Sequence, residues 1–152
     1  MKLERIIIIF IFFFVTACGY KIVNNFENNK YQIKNLTFTG DKNINYILSN
    51  NLKKFSNNIN ASRYFDLEID SKKDRQISSK NTSGDAETYK IKINISFKIF
   101  ENQELVKDKS FSKNMTYNKL VSNFETNQYE KILTKDLTNQ IVFDFNNYLQ
   151  GL

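Results

Sequence analysis

Between Tyr89 and Ile99 the chain alternates without a break. Tyr89, Ile91, Ile93, Ile95, Phe97 and Ile99 are apolar or aromatic, and Lys90, Lys92, Asn94, Ser96 and Lys98 separate them. A β-strand sends successive side chains to opposite faces, so this run has one dry face and one wet face. A helix would scatter the same apolar residues around its circumference. The segment therefore demands an antiparallel-type sheet, covered on one side and solvated on the other.

The remaining elements arrange themselves around that strand. Tyr31 to Phe38 reads as a first strand, closed by Thr39-Gly40-Asp41. Ile44, Ile47, Leu48, Leu52 and Phe55 follow at helical spacing, with Asp41 as N-cap and Asn57, Asn58 and Asn60 as breakers. Phe65, Leu67 and Ile69 alternate with Asp66, Glu68 and Asp70, which predicts a second strand. A polar stretch from Ser71 to Asp85 comes next, part of it continuing the strand if two long strands flank the loop. Glu101-Asn102-Gln103-Glu104 makes a turn, and Leu105 to Tyr117 returns as a fourth strand with Phe111, Met115 and Tyr117 on one side. Ser122 and Glu125 form a capping-box pattern, and a long helix runs to about Gln150, with Gly151 at its end. Tyr129, Ile132, Leu133, Leu137, Ile141, Phe145, Tyr148 and Leu149 mark its apolar face. Val142 and Phe143 widen that face, either as broader core contact or as a docking surface.

The order is strand, helix, three strands, helix (βαβββα). The expected class is α+β: a mostly antiparallel four-stranded sheet with a short and a long helix packed on one face. The acidic row Asp66, Glu68 and Asp70 is expected to oppose the basic row Lys90, Lys92 and Lys98 across neighbouring strands. Each such pair is worth only ~0.2–1 kcal/mol, enough to set register more than stability.

The first residues carry a different message. Lys2 and Arg5 precede an unbroken run of Ile, Phe and Val from Ile6 to Val15, and Val15-Thr16-Ala17-Cys18 ends it. That order is a secretory leader with a lipobox, with Val15 where leucine is commoner. The run has 10 residues, whereas a spanning helix needs ~20. Residues 1–17 are expected to be cleaved, leaving Cys18 as the acylated first residue. Residues 18–30 then read as a polar tether, and 31–152 as a single domain.

Cys18 is the lone cysteine and there is no histidine. With the thiol consumed by lipid, the usual nucleophile–base pairs and most transition-metal sites are gone. The four glycines form no phosphate-cradling loop. Asp66, Glu68 and Asp70 share a strand face and read as a solvated row, with cation binding or paired-carboxylate chemistry as the alternative. Removing residues 1–17 leaves 20 basic and 15 acidic residues, a net charge of +5 spread without a nucleic-acid patch. The expectation is a protein that is not an enzyme, with no catalytic or metal site and no cofactor beyond a covalent lipid (palmitate) on Cys18.

Several phrases resemble a known family. Cys18-Gly19-Tyr20 is similar to the Cys-Gly-aromatic start of the LptE lipoproteins. Gly84-Asp85-Ala86-Glu87-Thr88-Tyr89 resembles that family's loop-to-strand phrase, and Met115-Thr116-Tyr117-Asn118 its step before the last helix. Lys135-Asp136-Leu137 and Gln140-Ile141 echo phrases of that helix. The resemblance implies an LptE-like domain over 31–152. It implies an outer-membrane, lipid-anchored, periplasm-facing protein that plugs and helps assemble the LptD β-barrel and delivers lipopolysaccharide to the outer leaflet. It also implies lipopolysaccharide contacts from basic residues near the loop between the second and third strands, here Lys72, Lys73, Arg75 and Lys80, although Thr82, not a cation, stands two residues before the glycine of that phrase. The alternative is a stand-alone lipid-binding or transporter-accessory lipoprotein of the envelope.

Overall fold

A computed structural model describes residues 30–58 and 60–152. Cys18, the leader and residues 18–29 of the tether lie outside them. The elements are β1 (Tyr31–Gly40), α1 (Lys42–Leu52, continued by a 3-10 turn at Lys53–Phe55), β2 (Arg63–Lys80), β3 (Ala86–Glu101), β4 (Glu104–Asn118) and α2 (Asn123–Gln150). The sheet order is β1-β2-β3-β4. β1 runs parallel to β2, because the α1 crossover carries the chain back to the end where β1 began. The other two pairs are antiparallel. The α+β class and the element order agree with the sequence, in a mixed sheet.

The alternation at 89–99 controls the core. Ile91, Ile93, Ile95, Phe97 and Ile99 are fully buried under the helices. Burial of each such side chain is worth roughly 1.5–3 kcal/mol. From α1 come Ile44, Leu48 and Leu52, and from α2 come Leu133, Leu137, Ile141, Phe145 and Leu149. Phe145 stacks on Phe97 at 3.8 Å between ring centroids, with Phe111 edge-on to both.

Local chemistry sets the helix starts. Gly40 has φ +89°, and a Cβ there would lie 1.9 Å from the Ser71 carbonyl oxygen, so no side chain fits. The next residue, Asp41, donates its N–H to that same carbonyl at 2.9 Å. Its carboxylate accepts from the Asn43 and Ile44 amides at 2.9 and 3.1 Å, capping α1. At α2 the capping box is present: the Glu125 amide donates to Ser122 Oγ at 3.1 Å, and the Ser122 amide to Glu125 Oε2 at 3.2 Å.

Three expectations change. β2 continues through the whole polar stretch to Lys80, leaving only 81–85 as loop. On α2, Tyr129 and Ile132 are exposed, while Thr126, Glu130, Thr134 and Thr138 are buried. The inward row of the helix follows the four-residue spacing of those polar residues rather than Ile132. Val142 is buried and widens the core contact as expected, but Phe143 beside it is exposed.

Candidate functional site

The strand period divides the four basic residues. Ser71, Lys73 and Arg75 continue the inner row of Phe65, Leu67 and Ile69, whereas Lys72 falls on the outer face. Lys72 Nζ lies 3.1 Å from Asp74 on that face. Lys80 is exposed at the last position of β2, beside the 81–85 loop. The structure therefore brings Lys73 and Arg75 together and keeps Lys72 and Lys80 apart from them.

What gathers Lys73 and Arg75 is Glu130, one of the buried polar residues of α2. Arg75 Nε donates to Glu130 Oε1 at 2.7 Å, and Lys73 Nζ lies 3.6 Å from Oε2. The Tyr117 hydroxyl donates to the same Oε1. The Arg75 guanidinium sits 3.8 Å from the centroid of the Tyr89 ring, which stacks on Tyr117. Desolvation alone would raise the Glu130 carboxyl. The hydrogen bonds from Tyr117 and Arg75, with the charges of Arg75 and Lys73, outweigh it and hold the group below the usual carboxylate range. Burial, then the bond to Glu130, pushes the Tyr117 hydroxyl up to about 12. Both groups move away from neutrality, the reverse of what proton transfer near pH 7 asks. The arrangement fastens α2 to β2 and β4. Its sequence signal is the spacing Thr126-Glu130-Thr134-Thr138, a polar helical row that matches the buried side.

The outer face of the sheet is polar throughout its middle. Glu68, Lys98 and Asp108 lie in one cross-strand row, and Asp74, Lys92 and Asn114 in another. The expected match of acidic and basic rows is reduced to Glu68 opposite Lys98. Asp66 faces Phe100, Asp70 faces Ser96, and Lys90 faces Gln76, because β2 extends beyond Asp70 and shifts the pairing toward its far end. Asp66 and Asp70 instead accept from β1: Asn35 Nδ2 at 2.8 Å and Thr39 Oγ1 at 2.7 Å. These bonds tie the acidic row into the sheet. Among the described residues no group of three acidic, histidine or cysteine side chains is placed to hold a metal ion. No described helix is long and apolar enough to cross a membrane.

No family model matches the chain, and no curated protein matches it. Solved structures do share its fold. Rare lipoprotein B from Shewanella oneidensis superposes with a TM-score of 0.53 at 10% identity, over 75% of this chain and 95% of that one. A minor lipoprotein from Acinetobacter baumannii gives 0.56 at 13% identity, over 78% and 91%. A lipoprotein B from Nitrosomonas europaea gives 0.50 at 11% identity, over 80% and 83%. The chain has the fold of these bacterial lipoproteins.

Proposed function

We propose that this chain is a non-catalytic lipoprotein that seats inside an outer-membrane β-barrel of the LptD type, assists its assembly and helps deliver lipopolysaccharide to the outer leaflet. The observation that carries this reading is the outer sheet face. Its rows of Glu68, Lys98 and Asp108, and of Asp74, Lys92 and Asn114, oppose a helix-covered core on the other side. A barrel lumen is polar, so a plug needs a polar exterior over its own compact interior. The leader ending at Cys18 supports acyl anchoring in the outer membrane, facing the periplasm, with the lipid as its only prosthetic group. The names of the structural neighbours, all bacterial lipoproteins, point the same way.

Of the four basic residues, Lys72 and Lys80 remain as the proposed contacts to lipopolysaccharide phosphates. Arg75 is committed to Glu130, and Lys73 faces the helix layer. A photocrosslinking residue at Lys92 or Glu68, in cells, tests the reading. Both positions are exposed and central on the outer face. Capture of a large outer-membrane barrel supports it. Crosslinks that trap no barrel, with surface lipopolysaccharide unchanged on depletion, favour the stand-alone accessory lipoprotein.

A further inference from the structure

An open cleft of about 350 Å³ lies between the start of α1 and the middle of α2. It falls in the lower part of the size range of small-molecule sites. Lys73, Lys131 and Lys135 line it, with Asp41, Tyr46 and Ile47. We propose that this cleft binds a phosphate monoester, its phosphate held by the three ammonium groups and its substituent against Tyr46 and Ile47. The proposal goes beyond the barrel reading and does not depend on it.

Charge carries the argument. Lys131 and Lys135 are one helical turn apart on α2, and neither makes an ion pair among the described residues. Like charges at that spacing repel and weaken a helix. Lys73 adds a third cation from the strand beneath. Its partner Glu130 is shared: Arg75 stands at 2.7 Å and Lys73 at 3.6 Å, so one carboxylate answers two cations. Asp41 is the one acidic side chain in the lining, and its carboxylate already accepts two backbone amides of α1. The cleft therefore keeps a surplus of positive charge, with the donors of Lys131 and Lys135 unspent and Lys73 only loosely held by Glu130. A dianionic phosphate relieves the repulsion and takes charge-assisted hydrogen bonds from all three lysines. The exposed Tyr46 ring and Ile47 offer an apolar wall beside that position.

The test is NMR titration of the isotope-labelled full chain, in neutral detergent, with inorganic phosphate, butyl phosphate and butanol. Saturable shifts at the amides of Asn43, Lys131, Thr134 and Lys135, weakened by added salt, are expected with the two phosphates. Lys131→Gln and Lys135→Gln change exposed side chains that the fold does not use, and each should weaken binding about fivefold. Butyl phosphate binding tenfold or more tighter than inorganic phosphate identifies an organic ester, such as a lipid headgroup, as the source. Equal binding identifies free phosphate and removes the role of the apolar wall. No saturable shifts with either phosphate, the same shifts with butanol, or unchanged binding when Lys131→Gln and Lys135→Gln are combined overturns the site. Barrel crosslinking from the outer sheet face is unaffected by any of these outcomes, so the two readings fail separately.

Discussion

The C-terminal half of α2 buries Leu137, Ile141, Val142, Phe145 and Leu149 with Thr138 as the polar exception, whereas its N-terminal half buries Thr126, Glu130 and Thr134 with Leu133 as the apolar exception. The neighbours differ accordingly. α1 runs beside α2 from about Lys131 to Asn146, bounded by the two clefts between them. Among the described residues, neither cleft reaches α2 ahead of Lys131. Where α1 lies alongside, the buried row is mostly apolar, and its polar members Thr134 and Thr138 are satisfied within α2, each donating to the carbonyl one turn back at 2.7 Å. Ahead of Lys131, the buried groups of α2, Thr126 and Glu130, are polar and each has a partner. Thr126 donates to the Ser122 carbonyl at 2.9 Å. Glu130 takes Arg75, Lys73 and Tyr117. One half is held by a nondirectional force, the other by a directional and titratable one.

The largest expected effect falls in the apolar half. Phe145→Ala removes a fully buried ring stacked on Phe97 and should destabilise the fold by about 3–5 kcal/mol. Glu130→Gln keeps the shape but leaves Arg75 and Lys73 without their counter-charge. Because Arg75 is partly solvated, with 43% of its side chain exposed, the expected loss is smaller, about 1–3 kcal/mol. Urea unfolding of both variants measures the pair. If Glu130→Gln costs more than Phe145→Ala, the division drawn between the two halves is wrong.

A pH series separates the halves further. The Glu130 carboxyl is depressed in the folded state, so its contribution is present above the unfolded value of about 4.3 and disappears as pH falls through its lower folded value. The Tyr117 hydroxyl is raised. Its contribution is present below the unfolded value of about 10 and is lost as pH climbs towards about 12. Phe145→Ala should lower the whole stability curve and leave its shape. Glu130→Gln should flatten the acid limb. Thermal melts across pH would read both, and an acid limb unchanged in Glu130→Gln removes the titratable role.

The same division marks what the sequence disclosed. The run 89–99, the caps at Asp41 and Ser122, and the α1 face of Ile44, Leu48 and Leu52 depend on neighbours a few residues away, and each is visible locally. The second half of β2 is not. Ser71, Lys73 and Arg75 break the apolar alternation; Ser71 faces inward to Asn45, and Lys73 and Arg75 face Glu130, 55 residues beyond Arg75 in the chain. Likewise, Ile132 fits an apolar helical pattern but lies outside the buried row of Thr126, Glu130, Thr134 and Thr138. The basic residues near the 81–85 loop were legible as a set; their separation onto two faces depends on β2 extending, which its pairing with β3 as far as Ala86 carries.

A second ion pair gives the finest test. Lys113 Nζ and Asp144 Oδ2 lie 2.7 Å apart, the separation of Arg75 Nε and Glu130 Oε1. Distance alone would rank the two equally. Lys113 and Asp144 are each 35% exposed, whereas the Glu130 side chain is 9% exposed. Water and salt screen the first pair from both sides, and each partner regains its hydration when the other is removed. Lys113→Ala should therefore cost no more than ~1 kcal/mol, with the difference fading as salt is added. The Glu130 contacts should persist in the same salt, because the carboxylate is covered by Tyr117 and the body of α2. Unfolding of Lys113→Ala and Glu130→Gln at low and high ionic strength compares them directly. Equal losses with equal salt sensitivity would mean that burial does not distinguish the two halves of α2.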